Sequence, residues 1–193
     1  MVVYEQVAPK VPAGWSHFRG GYHTTEKGWV GNLKMALGQV HTDVVLLVLE
    51  DYWLYRPADA KRIWNMANWM TFDKSINKID LTNDRFGFAH VSWDDNYIRS
   101  LPNAEYLTSV QAALWNKEYL SWCLHNPAWN PWQFELEGSK RAKLTRHKVL
   151  GCRVPAIHNI NVVLKGMISE QEVARLSEED KSALDSIGAF NAR

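Results

Sequence analysis

Residues 44–54 read VVLLVLEDYWL, and the way this stretch is understood sets the fold. The unbroken apolar run from Val44 to Leu49, drawn from the Val/Leu set, predicts a strand buried on both faces, as in a sheet covered by helices. It stops at two adjacent carboxylates, Glu50 and Asp51, followed by Tyr52 and Trp53. In an open α/β sheet the ligand crevice lies beyond the carboxyl ends of the strands, which is where this pair would stand. Two carboxylates at the mouth of a buried strand repel each other and are poorly solvated, so a shared cation is one explanation. Mg²⁺ or Mn²⁺ suits it, because such ions take carboxylate oxygens together with the phosphates of a substrate. The other explanation is local: the acids cap the next helix or pair with Arg56.

Outward from this strand the pattern is α/β. Upstream, GWVGNLKMALGQ (28–39) places Trp29, Leu33, Ala36 and Leu37 on one helical face. Residues 1–27 mix prolines, glycines and histidines without a sustained period and predict extended segments, with at most one short strand near Val2–Val7. Downstream, Pro57 suits a first helical turn, and Ile63, Met66, Ala67 and Met70 recur at helical spacing. INKIDLT, RFGFAHVSW and YLTSVQAALW read as strands, NKEYLSWCLHN as a helix begun by Asn116, and KVLGCRV and AIHNINVVL as the last strands. From Ser169 the chain is acidic and polar, consistent with one or two short amphipathic helices. The expected organisation is an irregular segment over 1–27, one α/β domain over 28–168 and a helical tail over 169–193.

The composition of the 193 residues, 46% hydrophobic and 22% charged, supports one domain with a real core. A net charge of +1 gives no electrostatic footprint for nucleic acid. Cys123 and Cys152 are too few and too far apart for a disulfide framework or a zinc knuckle. No stretch reads as a cleavable signal or as an apolar run of spanning length, so the expected setting is cytoplasmic, without a membrane span. Ten tryptophans are the one oddity, several of them beside polar residues, where an indole can line a site for a flat or sugar-like ring.

A second constellation is NPAWNPWQFELEGSKRA, residues 126–142. A helical turn starting at Pro131 puts Trp132 and Glu135, three apart, on one face. A carboxylate beside an indole is desolvated, which raises its pKa towards the range of a general base. Equally, acidic residues in the first turns of a helix are favourable in themselves, and the rings of Trp129 and Trp132 can fill a core.

Together GWVGNLKMALGQVHTDVVLLVLEDYWL, YLTSVQAALWNKEYL, PWQFELEGS and KVLGCR resemble a family of small bacterial and bacteriophage glycosyltransferase-like proteins with the nucleotide-diphosphosugar transferase (A-type) fold. The resemblance covers roughly residues 28–166. It implies a single-domain mixed sheet, parallel-rich and flanked by helices, that transfers a sugar from a nucleotide-sugar donor to a hydroxyl acceptor with Mn²⁺ or Mg²⁺. By the resemblance Asp51 takes the last acidic position of an Asp-x-Asp-like motif, while Leu49 stands where the first Asp is often found. Glu135 falls where inverting transferases place their base, with Glu137 in reserve. Glu50, Trp53, Trp129, Trp132 and Lys165 are then the donor- or acceptor-binding candidates, and His158 a late metal ligand, although a lone His in an apolar strand is more often structural. Such transferases begin with a nucleoside-binding strand, helix and strand, which the 27 residues before the first helix lack. This implies a different hold on the nucleoside, a homo-oligomer or completing partner chain, or a non-catalytic remnant that binds sugar, nucleic acid or protein. The polar stretches DLTNDR (80–85) and SWDDN (92–96) read as loops, and Cys123 as a packed thiol.

Overall fold

The computed structural model describes residues 2–4, 13–20, 28–49, 52–83, 88–90, 94–145, 148–164 and 167–186. In chain order the strands are β1 (Val2–Tyr4), β2 (His17–Arg19), β3 (Val44–Leu47), β4 (Tyr52–Leu54), β5 (Ile76–Asp80), β6 (Phe88–His90), β7 (Tyr97–Ser100), β8 (Ala113–Asn116), β9 (Lys148–Cys152), β10 (Asn159–Asn161), β11 (Val163–Leu164) and β12 (Met167–Ile168). The helices are α1 (Trp29–Leu37), α2 (Ala60–Phe72), α3 (Lys117–Cys123), α4 (Pro131–Gln133), α5 (Ser139–Ala142), α6 (Glu170–Val173) and α7 (Glu178–Ser186); a π-helical turn, Phe134–Gly138, joins α4 to α5. Six strands form the main sheet in the order β3-β8-β5-β9-β7-β6, and β1-β2, β4-β10 and β11-β12 form separate pairs.

The mixed α/β class agrees with the sequence, but the sheet is not parallel-rich. Of its pairings only β5-β9 is parallel, and β3-β8, β5-β8, β7-β9 and β6-β7 are antiparallel. The leading strand is also placed differently. β3 pairs only with β8 among the described residues, so it is an edge strand, and Leu46 and Val48 are 46% and 41% exposed. A continuous apolar run does not distinguish a central strand from an edge, because edge position depends on strand order and not on local pattern. The strand expected over YLTSVQAALW is shorter too: residues 106–112 form turns, and only Ala113–Asn116 joins the sheet. β4 and β7, of three and four residues, are too short to show an alternating period, and neither is expected from the sequence.

Helices cover both faces of the sheet. On one face α1, α3 and the 131–142 helix close a cluster around Val30, Leu37, Trp115, Leu120 and Phe134. On the other, Met66 and Met70 of α2 pack on Ile76, Ile79, Leu114 and Leu150, with Ile63 and Ala67 alongside as their spacing predicted. The caps follow their residues. Asn116 accepts from Tyr119 N, Ser169 from Glu172 N, and Asp59 from Arg62 N. α2 therefore starts at Ala60, with Pro57 outside it. Gly28 has φ 108°, which only glycine adopts without strain, and the first amides of α1 donate to Pro127 O and Trp129 O. A third cluster, Ile160, Val162, Leu176 and Leu184, seats α6 and α7 on the β4-β10 pair beside Trp53 and Tyr55.

A register shift between Ile76 and Lys78 sets the facing of β5. It lets Ile76 and Ile79, three apart, share the α2 face, and sends Lys78 and Asp80 to the opposite side. There Lys78 is fully buried, with Nζ 2.6 Å from Asp80 Oδ1 and 2.9 Å from both the carbonyl and the hydroxyl oxygen of Ser109. The ammonium thus donates to both Ser109 oxygens and forms an ion pair with Asp80. Its charge also lies 4.8 Å from the Trp115 ring centroid, at the head of a stack that continues through Tyr119 and Trp122 to the guanidinium of Arg141. Removing one member of such a pair leaves the other charge buried. Asp80→Ala is expected to destabilise the protein by about 3–5 kcal/mol in denaturant unfolding, and Lys78→Met with Asp80→Leu to recover most of that. A single-variant loss below roughly 1 kcal/mol, the scale of an exposed pair, would contradict this role.

Candidate functional site

Because β3, β5 and β9 run in the same direction, their carboxyl ends lie together; Leu47 and Asp80 both pair with Ala113, and Asp80 pairs with Gly151. The chain after β5 is fixed there by three backbone bonds: Leu81 N donates to Ala112 O, and Ala156 N and Ile157 N donate to Leu81 O. At this end opens a cleft of about 390 Å³. Its walls come from separate parts of the chain. Tyr52 is contributed by β4, Thr82 and Asn83 by the segment after β5, Gln111 by the turn before β8, Asn159–Asn161 by β10, and Glu172 and Arg175 by α6 and the turn after it. Glu50 and Asp51, which precede Tyr52 in the chain, lie outside the described residues, as does Lys165.

The wall is polar and ordered. Gln111 Nε2 donates to the Tyr52 hydroxyl at 2.8 Å, linking the turn before β8 to β4. Arg175 donates to Glu172 Oε2 at 2.6 Å, and its guanidinium lies 5.5 Å from the Tyr55 ring centroid. The 108–111 segment is held from both sides. Below it, Lys78 binds Ser109. Above it, Thr108 Oγ1 lies 3.1 Å from the carbonyl oxygens of both Phe134 and Glu135, and Thr108 N donates to Ser139 Oγ. These contacts tie the segment to the π-turn. Val110 N donates to Glu135 Oε1 at 2.8 Å.

Glu135 is thus tied to the residue next to Gln111, one step from the cleft wall. The helix expected from Pro131 is present, with Pro131 at its first position and a capping box between Asn130 and Gln133. Trp132 is 59% exposed, whereas Glu135 is half-buried against the 108–111 segment. Glu137 pairs with Lys140 at 2.6 Å. Trp129 packs against the first core cluster and supplies a carbonyl to the start of α1. Trp53 Nε1 donates to Asp180 Oδ1 at 3.3 Å, holding α7 to β4. The Ser177 hydroxyl, and more weakly that indole, keep the Asp180 carboxyl below its usual range.

The ring of His158 stands edge-on to Tyr55, 6.0 Å between centroids, and its carbonyl accepts from Tyr55 N. Among the described residues no group of three or more His, Cys, Asp or Glu gathers to hold a metal ion. Cys123 is buried, and burial pushes its thiol up to about 12, so it is a neutral packing group at physiological pH. None of the described helices is long and apolar enough to cross a membrane. Thr82 and Asn83 belong to a stretch that reads as a plain loop, and Gln111, Asn159 and Asn161 carry no motif spacing. Only their convergence at one end of the sheet marks them.

No family model, curated protein or solved structure matches this chain.

The clasp around Thr108 depends on Gly138. Its φ of −60° is ordinary helix, but a Cβ there would stand 2.8 Å from Thr108 Oγ1 and 3.3 Å from the Phe134 ring. Gly138→Ala gains roughly 1 kcal/mol of helix propensity. Overpacking costs about 1–3 kcal/mol, and because Thr108 is held on several sides it has little room to yield. A lower melting temperature is expected for Gly138→Ala; a higher one would contradict the close approach.

Proposed function

We propose that this chain is a glycosyltransferase-like protein of the nucleotide-diphosphosugar transferase type, binding a nucleotide-sugar at the carboxyl end of the β3-β5-β9 strands and passing the sugar to a hydroxyl acceptor. The observation that carries this reading is the polar cleft, rich in side-chain amides, at the sheet end where these strands finish. It lies beside β4, the strand that directly follows Glu50 and Asp51 in the sequence. Amide and hydroxyl side chains both donate and accept, as sugar hydroxyls do.

In this reading Asp51, with Glu50 before it, supplies oxygen ligands to Mn²⁺ or Mg²⁺, whose charge would offset a diphosphate. Glu135 is the base for the acceptor hydroxyl, oriented by its bond to Val110 N. A second copy or a completing chain is part of this reading. The edge at β3, with Leu46 exposed in the strand and Val48 exposed just after it, is the surface such a chain would cover.

A second reading has its own support. The contact of Glu135 Oε1 with the Val110 amide is the contact of a structural carboxylate, and a sugar-binding remnant would need no base. One variant separates the two. Glu135→Gln keeps an acceptor oxygen for Val110 N, so the fold and ligand binding persist in both readings. As a base, Glu135 is expected to lose about a hundredfold to ten-thousandfold in transfer rate on this change. Unchanged transfer by Glu135→Gln assigns the residue to structure, and no transfer by the parent chain with any donor favours the remnant. Donor binding is tested by calorimetry of nucleotide-sugars with and without Mn²⁺. Mn²⁺-dependent binding is expected and should be lost in Asp51→Asn; the same affinity in that variant would remove the metal from the account.

A further inference from the structure

The described wall of the cleft carries one formal cation and one formal anion, and they hold each other: Arg175 is bound to Glu172 at 2.6 Å. The rest of its polar lining is neutral, made of the hydroxyls of Tyr52 and Thr82 and the amides of Asn83, Gln111, Asn159 and Asn161. A phosphate or diphosphate only accepts hydrogen bonds and brings charge that must be offset, whereas a sugar hydroxyl is matched by groups that donate and accept. The cleft's volume of about 390 Å³ lies near the lower end of ligand sites, which run from about 300 to 1,000 Å³. That suits one or two sugar rings rather than a whole nucleotide-sugar.

We infer that this cleft is a subsite for a neutral, polyhydroxylated ligand of mono- or disaccharide size, and that it fills without a metal ion. The inference rests on the reading of the chain as a sugar-handling protein and divides that site in two. The cleft takes the uncharged ring, and any diphosphate is handled outside it by other groups. Gln111 is the central specificity residue, because its amide is already oriented by the Tyr52 hydroxyl and its backbone belongs to the segment clasped by Lys78, Thr108 and Glu135. Asn83 is exposed at the rim, so changing it tests the wall with little effect on the core.

The experiment is saturation-transfer NMR and calorimetry on the full chain with EDTA present, using methyl glycosides of glucose, galactose, mannose and N-acetylglucosamine and the disaccharides maltose and lactose. At least one of these neutral sugars is expected to bind, with an affinity that changes less than about twofold when Mn²⁺ replaces EDTA. Binding should weaken tenfold or more in Gln111→Leu and in Asn83→Ala, both of which should melt as cooperatively as the parent. No binding of any of these sugars, binding only with Mn²⁺, or binding untouched by both substitutions overturns the inference. A nucleotide-sugar bound with Mn²⁺ while every neutral sugar fails also overturns it, yet leaves the proposed transferase standing. A neutral sugar bound in EDTA while every nucleotide-sugar fails upholds it and removes the donor from the proposed function.

Discussion

A buried ammonium organises this protein. Lys78 sits in a strand whose every residue is buried, and a lone cation there would be several kcal/mol unfavourable. Its position is tenable because Asp80, two residues on and on the same side of β5, meets it, and because Ser109 gives it two more oxygens. The requirement works in both directions. The lysine needs the 108–111 segment close to the sheet, and that segment is drawn to where Gln111 reaches the cleft. A buried pair of this kind contributes little net stability compared with apolar packing, but breaking it leaves an uncompensated buried charge.

The same segment is gripped from above by the 131–142 helix, and the π-turn is part of the grip. An extra residue in the turn exposes carbonyls of Phe134 and Glu135 towards Thr108, while Gly138 removes the side chain that would hold Thr108 away. Tyr106, with φ 56°, is the one non-glycine residue with positive φ among the described residues, a conformation that costs on the order of 1–3 kcal/mol. The turn closes on it through Ser109 N to Tyr106 O. Strain at the start of the segment is thus offset by the contacts along it, which hold the segment at the cleft wall.

The parts legible in the sequence are those set locally. Helical spacing in 28–39 and 58–70, and the cap at Asn116, depend on neighbours a few residues away and appear at α1, α2 and α3. Edge or centre for β3 depends on where β8 and β5 pair, so VVLLVL alone could not decide it. The segment INKID shows two charges at alternate positions, a pattern equally suited to a solvent-facing side; only the covering helices make it a buried pair. Cleft residues are scattered from Tyr52 to Arg175 and are mostly amides and hydroxyls, types common in any loop. Ten tryptophans, several of them beside polar residues, suggest ring-binding surfaces, yet Trp129 and Trp53 join elements to one another, and Trp132 faces solvent.

The cleft depends on the 108–111 segment being held as firmly as the core, and the amide of Val110 reports this directly. Native-state hydrogen exchange followed by NMR should find Val110 N–H protected to nearly the same degree as the amides of β8. In Glu135→Ala that protection should fall at Val110 and Gln111 while Leu114 and Trp115 keep theirs. Exchange of Val110 at the rate of an open loop in the parent protein would contradict the central claim that this buried network builds the cleft.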